Sequence, residues 1–236
     1  MNAIIGFTDL LNDNLSDQDK ARDYIAKIRS SSDYLLSLIN NVLEMARIES
    51  GKTELDESSI SLKSLDSVYW LFESQMKEKN IDFTWNVNVK HNNILCDVVK
   101  IKEILMNIIN NAYKYSLPGD SVAVKIDGYV RIRTVVSDTG IGMSEDFLEH
   151  IFEDFSREQT STESGQFGTG LGMAIVKKIV DLMGGDIDVQ SEPGKGTTFT
   201  VTLEHRISQN VEDAGSVEKR NEDYSFEGRR IILAED

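Results

Sequence analysis

Glu103-Ile104-Leu105-Met106-Asn107-Ile108-Ile109-Asn110-Asn111-Ala112-Tyr113-Lys114 is the stretch on which the fold turns. Asp97 is a good N-cap, and the spacing predicts one helix from there to about Tyr115. At about 100° per residue, Glu103, Asn107, Asn111 and Lys114 fall within about 80° of one another. Ile101, Leu105, Ile108 and Ala112 share a separate face, centred roughly 130° round. An ordinary amphipathic helix spreads mixed charge over its wet side; this one aligns amides with a lysine. An asparagine carbonyl is a hard, neutral oxygen, suited to a Mg²⁺ ion that keeps several waters and bridges phosphates. Lys114, one turn on, can meet phosphate charge. Taken alone, the stripe is equally a solvated face.

Two glycine segments follow. In Val135-Val136-Ser137-Asp138-Thr139-Gly140-Ile141-Gly142-Met143 an apolar strand delivers a carboxylate and then alternating glycines. A buried carboxylate accepts from the exocyclic amine of adenine; guanine presents an acceptor there and is rejected by the unpaired charge. The glycines are expected to let backbone approach base and ribose closely. A turn produces the same pattern. Gly168-Thr169-Gly170-Leu171-Gly172 then opens an apolar helix expected over 170–183. Glycines at a helix start bring backbone N–H groups and the positive dipole end to an anion, although a plain loop before a helix reads the same way. No Lys-Ser/Thr pair follows, so it is not a P-loop, and no βαβ unit surrounds it, so it is not a dinucleotide fingerprint. The polar segment Glu153–Phe167 stands where a mobile lid would sit.

Outward from these segments, the chain divides. Ser16, with Asp19 three residues on, is expected to start a long helix. Its apolar seam runs Ile25, Ile28, Ser32, Leu35, Ile39, Val42 and Ala46, in alternating steps of three and four. Ile4, Thr8, Leu11 and Leu15 continue the alternation on a shorter upstream helix. The two make a hairpin whose sticky face needs cover, from a second copy in a four-helix bundle or from the chain's own second domain. Beyond Lys52 the pattern changes. A helix is expected over 62–79, strands over 81–89, 121–127 and 129–137, a helix over 144–152, and a closing hairpin at 186–191 and 197–204 turned by Pro193-Gly194. This is α+β order, irregularly interleaved, against a doubly wound parallel sheet. Residues 206–228 are polar, acidic and aperiodic, as a linker is.

A net charge of −15 repels nucleic acid and anionic lipid, so neither is an expected partner, and a bound polyanion needs a local device. No run approaches the ~18 apolar residues of a membrane span, and Met1–Leu11, with no basic start and no small-residue cleavage site, does not read as a signal peptide. The single cysteine, Cys96, fits a reducing compartment and a small core residue.

In this order and spacing the three segments resemble the N, G1 and G2 boxes of the GHKL ATP-binding fold. Residues 103–116 look like the N box of sensor histidine kinases. Ile151-Phe152-Glu153-Asp154-Phe155-Ser156-Arg157 resembles their F box, and residues 43–52 the end of their second dimerisation helix. The resemblance covers about residues 1–205. It implies a truncated dimerisation hairpin (1–52), then a catalytic domain with a mixed sheet backed by helices (53–205).

Position by position, it implies that Asn111 ligates Mg²⁺ with Asn107 adjacent and catalytic, and that Lys114 and Tyr115 contact the nucleotide. Asp138 would hold the adenine amine beside Gly140, Gly142 and Met143. Gly168, Thr169, Gly170, Leu171, Gly172 and Met173 would line the phosphate side, and Arg157 would be a lid cation. The implied cofactors are ATP and Mg²⁺. The implied partners are a second copy of the chain and a response-regulator receiver domain, in cis or in trans, and the implied location is cytoplasmic, whether or not the longer parent is anchored in a membrane.

Met1–Phe7 resembles the segment just downstream of the family's H box, so the accepting histidine is expected upstream. His91, His150 and His205 read as surface residues. Arg229–Asp236 looks like the first strand of a receiver domain. Two other readings stand beside the kinase: a non-catalytic nucleotide-binding dimerisation scaffold, and another GHKL ATPase, which would usually carry a glutamate where Asn107 stands.

Overall fold

The computed structural model describes residues 2–90, 93–157 and 169–207. Two helices form the hairpin, α1 (Asn2–Asp13) and α2 (Gln18–Glu49). The cap of α2 is Asp17 rather than Ser16: its backbone is extended and its carboxylate accepts from the N–H of Lys20. Phe7 stacks on Tyr24 to hold the two helices together. Gly51, at φ +64°, ends α2 in the left-handed conformation that a helix stop favours.

Residues 58–207 build two sheets and the helices over them. A small antiparallel sheet contains β1 (Ser58–Ser61), β3 (Asn93–Cys96) and β8 (Arg206–Ile207), in the order β1-β3-β8. The main sheet contains β2 (Asp82–Val89), β4 (Ser121–Gly128), β5 (Arg131–Asp138), β6 (Asp186–Glu192) and β7 (Gly196–Glu204), in the order β2-β4-β5-β7-β6. Only β2 and β4 run parallel, so this is the mixed sheet expected. Helices α3 (Asp66–Glu78), α4 (Val98–Tyr115) and α6 (Gly172–Leu182) pack against it; α5 (Glu145–Leu148) is a single turn.

Alternation drives the packing. Val122, Val124 and Ile126 of β4 and Phe199, Val201 and Leu203 of β7 are buried, against Ile101, Leu105, Ile108 and Ala112 of α4 and Ile175 and Ile179 of α6. The α4 faces therefore separate as its spacing predicts: the apolar face is in the core, and Glu103, Asn107, Asn111 and Lys114 stand half-buried at its margin.

Several details differ from expectation. The helix expected over 144–152 is helical only over Glu145–Leu148, capped by Ser144. Arg206 and Ile207 are not linker: they pair with Leu95 and Ile94. His205, between the last two strands, is a buried residue rather than a surface one, and burial lowers its pKa. His150 is exposed beside Glu153, as expected. His91 and the expected linker and receiver strand beyond Ile207 lie outside the described residues.

The hairpin docks on the second domain through one side of α2. Met45 is its one buried residue, and Glu44 and Glu49 pair with Lys100 of α4 and Lys178 of α6.

Candidate functional site

One cavity of about 280 Å³ opens where α4, the end of β5, the start of α6 and α2 converge. Asn107, Asn111, Lys114 and Tyr115 reach it from α4, Asp138 from the end of β5, and Gly142 and Met143 from the loop after it. Arg157, Thr169, Gly170, Gly172 and Met173 complete the set among the residues that the sequence singles out. Helical turns, a strand end and a glycine loop from well-separated parts of the chain thus meet at one place.

Asp138 stands at the end of β5 between Val122 and Thr197 of the neighbouring strands. Its Oδ1 accepts from the Gly140 N–H at 2.9 Å. Burial pushes its pKa up to about 6, against the N–H groups of Gly140 and Thr197, which favour the charged form; the negative charge of Asp120 adds to the rise. A carboxylate this poorly solvated gains more from a ligand's N–H than an exposed one does.

The glycines of this loop also make close approaches within the protein. A Cβ on Gly140 would lie 2.5 Å from the Tyr115 carbonyl oxygen, and one on Gly142, at φ +67°, 2.0 Å from that of Glu192. They pack the loop against the protein's own backbone, and Gly140 does not line the cavity. Nor does Leu171, which is buried in the core and donates its N–H to Thr169 Oγ1. Gly168 lies outside the described residues.

On α4, Asn107 donates its amide to the Glu103 carbonyl at 3.0 Å, which fixes the side chain and leaves Oδ1 to face Gly172. Lys114 Nζ sits 3.1 Å from the Tyr115 hydroxyl and 4.7 Å from the centre of its ring. Among the described residues no cluster of three carboxylate, imidazole or thiol groups is placed to cage a metal, so a cation here would take one or two side-chain oxygens and find the rest on ligand and water.

Sequence reasoning missed the fourth wall. Tyr34, Ser37 and Asn41 of α2 line the cavity, and Asn41 donates to Thr169 Oγ1 at 3.1 Å across 128 residues of chain. Their 3-and-4 spacing was visible, but only the docked hairpin gives it a destination.

A mixed sheet with a desolvated aspartate at one strand end, an asparagine-bearing helix across from it and a glycine-started helix beside both defines an ATPase domain of the GHKL class. Residues 96–207 match the family described as histidine kinase-, DNA gyrase B-, and HSP90-like ATPase, and residues 1–51 match the His Kinase A (phospho-acceptor) domain. The chain belongs to the histidine kinases, matching both their phospho-acceptor and ATPase families.

Among its relatives are the autoinducer 2 sensor kinase/phosphatase LuxQ of Vibrio parahaemolyticus, 33% identical over 86% of this chain and 24% of the relative, and the signal transduction histidine-protein kinase BarA of Escherichia coli, 32% identical over 89% and 24%. The chain therefore spans about a quarter of the length of these relatives. Full-length ShkA in complex with AMPPNP is similar at TM-score 0.69 and 33% identity, covering 79% of this chain and 39% of that one. Histidine kinase ThkA in complex with response regulator protein TrrA is similar at TM-score 0.67 and 25% identity, covering 86% and 57%.

Proposed function

We propose that this chain binds Mg²⁺·ATP in the cavity and delivers its γ-phosphate to a histidine on a phospho-acceptor segment. The observation that carries this is the opening of Asp138 and Asn111 into one cavity, with the start of α6 beside them. Asp138 accepts from the adenine amine, with Gly142 and Met143 forming that wall and Gly140 holding the loop. Lys114 and Tyr115 meet the polyphosphate, and Thr169, Gly170, Gly172 and Met173 line its far side, where the α6 dipole favours negative charge. Asn107, held by the Glu103 carbonyl, orients groups beside the transferring phosphate, and Arg157 supplies a cation at the rim.

Asn111 would hold Mg²⁺, which when bound neutralises phosphate charge and aligns it for in-line transfer. The neutral amide fits that ion: it adds an oxygen without adding charge that would repel the phosphates. Among the described residues neither His150 nor His205 lines the cavity, and in this reading the acceptor histidine belongs to a separate H-box segment. In the proposed arrangement residues 1–52 are the dimerisation hairpin, pairing with a second copy, and the domain from 53 onward is the kinase. Onward transfer would go to a response-regulator receiver domain, the class of partner seen in the ThkA–TrrA complex.

The test is titration of the purified chain with ATP and GTP, with and without Mg²⁺, followed by addition of a separately expressed hairpin that carries an H-box histidine. Adenine-selective, Mg²⁺-dependent binding and acid-labile phosphate on the added hairpin are expected. A folded chain that binds neither nucleotide overturns the assignment, and binding without transfer leaves the nucleotide-binding scaffold as the reading.

A further inference from the structure

Thr169 stands at the start of α6 with its hydroxyl on the cavity wall. A hydroxyl has two lone pairs and one proton to give. Among the described residues, Thr169 Oγ1 accepts twice: from the Asn41 amide at 3.1 Å and from the Leu171 N–H at 3.2 Å. Both lone pairs are then engaged, and the proton remains as a donor. The first N–H groups of α6 are donors as well, because a helix start leaves them without intrahelical partners.

Asn41 is well placed to impose this. It lies on α2 in the stripe Tyr34, Ser37, Asn41 that faces the cavity. One turn further on, Glu44 pairs with Lys100, whose Nζ also meets Glu103 at 3.0 Å, and beyond it Met45 is buried in the core. Apolar anchor and ion pair together hold α2 against the domain, which keeps the Asn41 amide within reach of Thr169.

Given the nucleotide pocket of the proposed kinase, on which this depends, we infer that Asn41 is a positioning residue: by donating to Thr169 it commits the Thr169 hydroxyl as a donor toward the phosphate groups. The hairpin is therefore part of the triphosphate site, acting through Thr169 rather than touching the nucleotide.

The experiment measures ATP and adenosine binding by calorimetry on the whole chain, for wild type, Asn41→Ala, Thr169→Val and the double variant, each checked for folding by circular dichroism. An ordinary hydrogen bond sets the scale, so Asn41→Ala is expected to weaken ATP about fivefold. Thr169→Val, which removes a donor to a charged group, is expected to weaken it about tenfold. Adenosine, which has no phosphate, should bind all four proteins alike. In the Thr169→Val background, Asn41→Ala should cost nothing more. Equal losses for ATP and adenosine, no loss in Asn41→Ala, or losses that multiply in the double variant would each overturn the positioning role. A wild type that binds no ATP overturns the pocket itself, and this inference with it.

Discussion

Replacing Asp138 by asparagine should make the protein more stable and worse at recognising adenine. The carboxyl is raised from an ordinary 3.8 to about 6, chiefly by burial. Between those values the folded state holds the proton more tightly than the unfolded state does. Stability conferred by the protonated form is thus lost as pH rises through about 6, and the cost persists at neutral pH. A rise from 3.8 to about 6 corresponds to about 3 kcal/mol, which is a ceiling on what Asp138→Asn returns at pH 7.5. The asparagine carbonyl can still accept from Gly140, so melting should rise by several degrees at that pH and by much less near pH 4.

Binding runs the other way. The ionised carboxylate accepts from the adenine amine more strongly than the neutral acid does. Wild-type affinity for adenosine, a ligand without titrating phosphates, should fall with pH, by up to about twofold between pH 8 and pH 6 and up to about tenfold at pH 5, the limit in which only the ionised form binds. Asp138→Asn should bind adenosine weakly with no such slope, and its amide can donate to a guanine oxygen, so the preference for ATP over GTP should shrink or invert. Calorimetry across pH and thermal melting read both effects. A wild-type affinity flat from pH 8 to pH 5, together with an unchanged melting temperature in Asp138→Asn, would refute the desolvated-carboxylate reasoning.

Three further outcomes are expected. Asn111→Ala should fold normally, since the side chain is only half-buried, but should lose the Mg²⁺ dependence of ATP affinity, by at least roughly tenfold, the scale found even around the outer shell of metal sites; titrations with and without chelator check it. Cys96, buried and with its thiol pushed up to about 12 by burial, should resist iodoacetamide at pH 8 until the chain is unfolded, as counted by mass spectrometry. Leu43→Asp, at a site 53% exposed in the single chain, should leave the melting temperature within about a degree at monomer-forming dilution yet convert a dimer to a monomer by light scattering.

The sequence carried α4 almost intact, because a 3.6-residue period over eighteen residues leaves little room for another reading. The carboxylate at the end of β5 and the glycines at the start of α6 were equally visible. What escaped was set by distant parts of the chain. Strands β1, β3 and β8 have four, four and two residues, too few to establish a period of two, and they exist because they pair with each other. Ser16 and Asp17 both suit a helix cap, and only the backbone geometry selects Asp17. Gly140 and Gly142 announced a close approach but not that its object includes the carbonyls of Tyr115 and Glu192. His205 looked like a strand-end surface residue, yet its N–H bonds the Val130 carbonyl and the fold closes over it.

The hairpin posed two alternatives for its apolar face, a second copy of the chain or its own second domain, and the structure removes the conflict between them. At about 100° per residue, Leu36, Ile39, Val42 and Leu43 form one arc of α2, and Tyr34, Ser37, Asn41 and Met45 form another, centred roughly 170° away. The second arc is the one that docks: Met45 is buried and Asn41 reaches Thr169. The first stays 47–58% exposed, too much contiguous apolar surface for the wet side of a helix that ends its packing there. A single seam of alternating threes and fours missed this because it assigned α2 one neighbour, whereas along that seam Ile28 and Leu35 are half-buried and Ile39 and Val42 are exposed. A second copy seated on the exposed arc would leave the docked arc, and with it the Asn41–Thr169 bond, untouched. In that arrangement pairing of chains and the Asn41–Thr169 bond would use opposite sides of the same helix.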